Sequence, residues 1–320
     1  MTCHNCRIEA KRNGKHRNGL KRYKCQQCKR TFTEPHERPF DSMTTSEEQG
    51  YLALRLLLEG NSIRATERLT GLHRDTIIRL LLLAGRRCEL LMSSKVQGVP
   101  VQDVQCDEMW GYVFKKESHK FPFEAHNDSI GDCWCFAGIE RHSKLILAFE
   151  VGRRTKATAL RFIGRLKFAI SEACRFQITT DGFTPYERPI EALLADRCDY
   201  GQLIKVYATP KEEERRYSPP EVVECYSKTV LGAPDEDRIC TSHIERQNLT
   251  MRMQIRRLTR LTNAFSKTVE SHRAAIALHF AYYNFCRKHQ TIRTTPAVAA
   301  GITDHTWTVQ EMLGVAQPQQ

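Results

Sequence analysis

The chain has 320 residues, of which 41% are hydrophobic and 27% charged, enough for two or three domains with a buried core; that balance excludes a wholly disordered protein. Lys+Arg number 49 against 37 Asp+Glu, a net charge of +12, which favours a polyanionic partner, nucleic acid or an anionic membrane. Apolar runs such as 80–84 are too short to span a bilayer, and the N-terminus has no apolar signal core. A cytoplasmic location with reduced cysteines is expected, because thirteen cysteines, an odd and scattered set, do not form a disulfide framework.

Residues 1–40 carry eleven Lys/Arg and three Glu, together with Cys3-x2-Cys6 and Cys25-x2-Cys28. Four thiolates meet the tetrahedral demand of one structural Zn²⁺, so Cys3, Cys6, Cys25 and Cys28 are the candidate ligands. Gly14 and Gly19 supply turns, and Tyr23 and Phe32 flank the second pair, a zinc-ribbon pattern in which metal replaces the core that forty residues lack. Four unrelated free cysteines and a rubredoxin-like iron site are the alternatives. After Pro35 and Pro39, residues 41–94 read as three helices. The first covers 45–59 and stops at Gly60, and the second is capped by Asn61 or Ser62 and ends at Gly71. The third begins near His73 and includes Thr76, Ile77, Leu80 and Leu81. A short helix, a Gly-containing turn and a second helix suggest a helix-turn-helix whose last helix offers Arg74, Asp75 and Arg79 to the major groove. A plain packing bundle is the alternative. The run 80–83 exceeds what one helix face needs, and fits a dimer contact or packing on the next domain.

From Val99 the period becomes that of strands, expected at 101–115, 133–140 and 144–151. A helix capped by Thr155 follows, then strand 176–180, helix 187–195 and strand 203–209. This order suggests an α/β ribonuclease-H-like domain over 95–300, with a mixed five-stranded sheet. Asp107 lies in the first strand, Asp181 ends the fourth, and Glu245 heads a basic helix. Three such carboxylates together would bind a pair of Mg²⁺ (or Mn²⁺) ions for in-line displacement at a phosphodiester. Each acid also has an ordinary explanation. Asp181-Gly182 is a common turn pair, and Ser242-x-x-Glu245 is a capping-box pattern. Strand alternation sends Glu108 to the face opposite Asp107, so only one of them is expected at the centre.

Residues 246–260 contain Arg246, Arg252, Arg256, Arg257 and Arg260 and no acid. Glu245, Asn248, Arg252 and Arg256 advance by 3, 4 and 4 and would share one helical face, suited to a DNA backbone or simply solvated. A second long helix is expected over 265–286, with Val269, Ile276, Phe280 and Tyr283 inward. His272, His279 and His289 read as structural or DNA-contacting.

With these motifs in place, the chain resembles insertion-sequence transposases of the Asp-Asp-Glu type and is most similar to the insertion sequence one family. Asp107 of Cys-Asp-Glu-Met-Trp matches the first catalytic acid, Asp181 of Thr-Asp-Gly the second, and Glu245 of His-Ile-Glu-Arg-Gln-Asn the third. The segment 282–289, followed by Thr295-Pro296-Ala297, resembles the usual end of such a core. The resemblance implies a zinc ribbon, a helix-turn-helix and a ribonuclease-H-like core. It further implies binding to terminal inverted repeats and metal-dependent cleavage and strand transfer at the acid triad. Double-stranded DNA, both element ends and target, would be the partner, bound by a homodimer or higher oligomer with no membrane involved. One departure is the 63 residues between Asp181 and Glu245, in which 210–241, with Pro219, Pro220 and Pro234, reads as an insertion. Residues 301–320 read as a tail. A non-catalytic DNA-binding regulator and a nuclease without joining activity are the alternative functions.

Overall fold

The computed structural model describes residues 1–16, 20–34, 39–41, 43–208, 222–260 and 262–314. It divides into two compact units, Met1–Thr44 and Thr45–Gln320. Gly19, Pro35, Thr209, Pro219, Pro220, residues 209–221 of the expected insertion and residues 315–320 of the expected tail lie outside the described residues.

In Met1–Thr44, strands β1 (Lys11–Lys15), β2 (Lys21–Lys24) and β3 (Thr31–Thr33) pair antiparallel in the order β1-β2-β3. Their residues are mostly exposed, and the small apolar core of the unit is Ala10, Phe40 and Tyr23 stacked on Phe32 at 6.1 Å. Each Cys-x2-Cys turn is followed by a left-handed residue, Arg7 (φ 55°) after the first and Lys29 (φ 58°) after the second. The Arg7 N–H donates to the Cys3 carbonyl at 2.8 Å, closing the first turn. Two matched turns at a small strain cost bring the four thiols to one place.

In Thr45–Gln320 the chain runs α1 (Glu47–Leu58), α2 (Ile63–Thr70), α3 (Arg74–Lys95), β4 (Asp103–Val113), β5 (Gly131–Glu140), β6 (Ile146–Gly152), α4 (Lys156–Ala169), β7 (Phe176–Thr180) and α5 (Glu187–Leu194). It continues through β8 (Cys198–Tyr207), β9 (Val222–Leu231), α6 (Ser242–Gln254), α7 (Val269–Phe285), α8 (Pro296–Ala299) and α9 (Val309–Gly314). Ser46 and Ser62 cap α1 and α2 through the N–H groups of Gln49 and Ala65. Gly71, at φ 71°, closes α2 in the left-handed conformation.

The sheet order is β6-β5-β4-β7-β8-β9, six strands rather than the five expected. The extra strand, β9, occupies part of the segment read as an insertion, and β8 begins five residues before the expected Leu203. β4, β7 and β8 are parallel to one another, while β5, β6 and β9 run antiparallel to their neighbours. Phe136 of β5 packs against Phe162 of α4 and against Tyr186 just before α5, both at 6.1 Å between ring centroids. On the opposite sheet face, Phe149 of β6 meets Phe280 of α7 at 5.2 Å. The sheet is thus covered on both faces.

Helix α3 is 22 residues long and buries Leu80, Leu81 and Leu83. It packs along α7, crossing most closely where a Cβ placed on Gly85 would fall 2.4 Å from the Cα of Ala274. That contact accounts for the apolar excess at 80–83. The boundary expected at residue 94 therefore falls at the end of a helix already packed on the α/β part, inside one compact unit. On the other end of α7, the buried Asn284 side chain accepts from the Ile146 N–H (3.0 Å) and donates to its carbonyl (2.9 Å), pairing the edge strand β6.

Candidate active site

The last rung joining β4 to β7 is Gln105 with Thr179. β7 ends at Thr180 and Asp181 follows, so a notch opens beside β4 at the level of Asp107. Here side chains from both faces of β4 reach the same space. One carboxylate oxygen each from Asp107, Glu108 and Asp181 lies within 4.8 Å of the other two. The expectation that only one of the Asp107–Glu108 pair reaches the centre is corrected: alternation holds for the strand, but it does not bind at a sheet gap.

Asp107 accepts the Glu108 N–H at 2.8 Å and the Asn248 amide at 2.7 Å, and Asp181 accepts the Phe183 N–H at 3.0 Å. Glu108 is held by Arg154, whose Nε and Nη2 donate to Oε2 at 3.1 and 3.0 Å. The same guanidinium stands 3.8 Å from Asp181 and lies over the rings of Phe183 (3.9 Å) and Trp134 (5.0 Å). Burial first, and then the Asp181 charge, push Asp107 and Glu108 up to about 7. Glu108 Oε1 is buried without a hydrogen bond of good geometry. A hard divalent cation, which takes oxygen ligands, would offset the surplus negative charge, while the Tyr186 hydroxyl stands beside the Glu108 carboxylate.

Glu245 lines the same cleft, of about 560 Å³, with Asp107, Arg154, Asp181 and Lys205. Its carboxylate lies outside the three-acid group, because Oε1 is taken by the Lys205 ammonium and by the Thr241 hydroxyl at 2.6 Å. Ser242 is the first residue of α6, and its N-cap is Thr241, so the capping box read from the sequence does not form. Asn248 and Arg252 follow Glu245 on the side of α6 that faces Asp107. Burial, and then the charge of Arg260, pull the Arg252 pKa down, with Asp107 acting against them. The row stops there. Ile255 is extended (φ −102°, ψ 96°) and Arg256 starts a separate 3-10 turn, so Arg256 does not share the face of Glu245, Asn248 and Arg252. Arg256 instead lines a cavity of about 880 Å³ with Arg64, Arg74 and Lys267. Arg79 is exposed near the start of α3.

The four sulfurs of Cys3, Cys6, Cys25 and Cys28 lie within 4.8 Å of one another, with Cys3 and Cys28 at 3.7 Å. A tetrahedron with Zn–S bonds of about 2.3 Å has edges of about 3.8 Å, so the group fits that ion without rearrangement. His272 and His279 are buried, and burial, followed by the charges of Arg257 and Arg287, holds them down at about 3. They are neutral members of the core. Glu108, Arg154 and Lys205 were not singled out as site residues by sequence reasoning. Glu108 was weighed only as the neighbour of Asp107, and the signal for Arg154 is the doubled positive charge of Arg153-Arg154 just after β6.

Among the described residues, no helix is long and apolar enough to cross a membrane. Residues 226–286, which carry Glu245, Asn248, Arg252 and Arg256, match the family of the IS1 transposase. The chain is 28% identical over 185 residues to two Escherichia coli proteins, insertion element IS1 2 protein InsB and insertion element IS1 3 protein InsB. In each case the match covers 57% of this chain and 76% of the relative. A solved structure of the piggyBac transposase synaptic complex with hairpin DNA overlaps 88% of this chain and 73% of its own. Its TM-score of 0.38 and 11% identity are too low to carry any conclusion. By sequence, then, the chain is like the IS1-family insertion-sequence transposases of the Asp-Asp-Glu type.

Proposed function

We propose that this chain is a DNA transposase that binds the terminal inverted repeats of its insertion sequence and catalyses metal-dependent strand cleavage and strand transfer. The observation that carries the reading is the convergence of Asp107, Glu108 and Asp181 beside a cleft that Glu245, from the family-matched segment, also lines. Asp107, Asp181 and Glu245 act as the catalytic acids. Two Mg²⁺ or Mn²⁺ ions held there would supply Lewis-acid charge for activating the attacking oxygen and stabilising the leaving one. The side chains prepare the site. Asn248 fixes the Asp107 carboxylate, Arg154 holds Glu108, and Lys205 is the counter-charge of Glu245. Three antiparallel strands followed by helix, parallel strand, helix and parallel strand support a ribonuclease-H-like reading of the core.

The further assignments belong to the same proposal. Met1–Thr44 is a zinc ribbon with one structural Zn²⁺, and α1 to α3 are a DNA-reading helix-turn-helix with Arg74 and Arg79 at the duplex. Asn248, Arg252 and Arg256 contact the DNA backbone, with Arg256 doing so from its own turn. Double-stranded DNA, ends and target, is the partner, and a homodimer or higher oligomer assembles on it.

The test is joining of a labelled pre-cut element end to plasmid DNA with Mg²⁺ or Mn²⁺. Asp107→Ala, Asp181→Ala and Glu245→Gln are each expected to abolish joining while end binding survives. Asn248→Ala, which removes a support of Asp107 together with the proposed backbone contact, should cost about 10–100-fold. A fully active Glu245→Gln protein would remove Glu245 from the triad. Wild-type protein that binds ends but is inert with both metals would favour the regulator.

A further inference from the structure

β9 ends the six-stranded sheet, and among the described residues no strand pairs with its outer edge. Its first eight residues, 222–229, are exposed, including Val222, Val223 and Tyr226. Such an edge, rich in β-branched and aromatic residues, is a ready template for another strand. Proteins usually protect it with charges of one sign, which repel a second copy. Here the charges differ in sign and stand symmetrically about Tyr226: Glu224 two residues before it and Lys228 two after. Neither faces a counter-charge across the existing ladder, since Glu224 opposes Val206 and Lys228 opposes Gln202. Lys228 also reaches Glu187 at 3.5 Å, but it is half exposed and an ammonium has three donors.

We propose that β9 is a self-pairing edge: two copies of this chain join antiparallel about a two-fold axis at Tyr226, making one continuous sheet from two. Positions opposed in that register sum to 452. Glu224 then faces Lys228 of the second copy twice over, Val222 faces Val230, Val223 faces Thr229, and Cys225 faces Ser227. Every pair is favourable or neutral, and the two ion pairs repeat by symmetry. A slip by one residue would move Glu224 off Lys228 and set the two faces of the strand against each other, so the sequence selects this register. The interface is isologous and closes, which yields a dimer and not a fibre. It holds whether or not the acid cleft cuts DNA, and its test does not use that activity.

The full-length chain is examined by sedimentation velocity and light scattering without DNA. Wild-type protein should dimerise at micromolar concentration. Glu224→Lys or Lys228→Glu alone places like charges opposite each other at two positions and should raise the dimer dissociation constant about tenfold or more. The double variant Glu224→Lys plus Lys228→Glu restores opposite charges and should return the dimer to near wild-type strength. Both positions are exposed, and circular dichroism checks that each variant is folded. Ser227→Cys provides a second reading. The introduced thiol would face Cys225 of the second copy, at a strand spacing compatible with a disulfide, and mild oxidation should yield a covalent dimer through that pair. A wild-type chain that stays monomeric to about 100 μM overturns the proposal. So does a dimer that both single inversions leave unchanged, or a double variant no stronger than the singles.

Discussion

At the level of single residues, burial, and then the charge of Asp181, hold the protons of Asp107 and Glu108 unusually tightly, against the pull of Arg154. Folded, both titrate near 7, whereas their ordinary values are 3.8 and 4.5. The folded chain thus carries protons that the unfolded chain has released, and stability falls as pH rises across that window. His272 and His279 act the other way: their folded values near 3 lie below 6.5, so they add stability as pH rises toward 6.5 and nothing more above it. Below pH 6.5 the two pairs largely cancel. From 6.5 to about 7.5 only the acids remain, and thermal stability without added divalent cation should drop, by roughly 1 kcal/mol. Asp107→Asn plus Glu108→Gln should flatten that drop, and Mg²⁺ at pH 8 should reverse it in the wild type. Melts at pH 6.5 and 8 decide the matter, and an unchanged drop in the double variant would refute it. The cysteine group gives a separate expectation. Purified protein should hold about one zinc per chain, lost in Cys25→Ser plus Cys28→Ser, as read by elemental analysis.

At the level of elements, the crossing of α3 and α7 is set by the missing side chain at Gly85. Alanine favours a helix over glycine by about 1 kcal/mol, so Gly85→Ala would be stabilising on an exposed helix. Here the added Cβ would lie 2.4 Å from both Cα and Cβ of Ala274 and 2.7 Å from its carbonyl oxygen. Overpacking of this kind costs about 1–3 kcal/mol, so the net effect should be a melting temperature lower by a few degrees. Ala274→Gly in the same chain should recover part of the loss. A stabilised Gly85→Ala protein would mean the crossing relaxes freely. The same scale explains what could be read from the sequence. Strands β5 and β6 were legible as short apolar runs between polar turns, helix α4 by its amphipathic period, and Thr155 marks where α4 begins. β9 was not, because 222–229 is exposed on both faces and shows no alternation. The early end of α6 was also hidden. No Gly or Pro stops it at 254, but Ile255 and Leu258 are buried, and their burial draws the chain out of the helix. Asp107 could be placed within the first strand and Asp181 at the end of the fourth from local pattern alone. Glu108 and Arg154 depend on where β7 stops against β4, a register no local pattern encodes.

For the molecule as a whole, the packing decides which parts can work alone. A front fragment ending at residue 94 would carry the cysteine group and α1 to α3, and by charge it should be a good DNA ligand. Yet α3 buries Leu80, Leu81, Ala84, Cys88, Leu91 and Met92 almost completely, and its main neighbour is α7. Cutting at 94 removes α7 and leaves that face open to water. Exposed apolar surface of this kind drives association and binding of hydrophobic dyes. The fragment should therefore self-associate and light up a dye such as anilinonaphthalene sulfonate, while the full chain does not. Full-length protein should bind duplex DNA with an affinity that falls steeply with salt, since 49 Lys and Arg against 37 acids favour counterion release. Arg74→Ala or Arg79→Ala in the full chain, rather than in the fragment, is then the proper test of base reading. Specific binding should weaken by about 1–3 kcal/mol with little change on random duplex. Equal losses on both DNAs would make those arginines phosphate contacts. A soluble, dye-silent fragment would show that the three helices stand without α7.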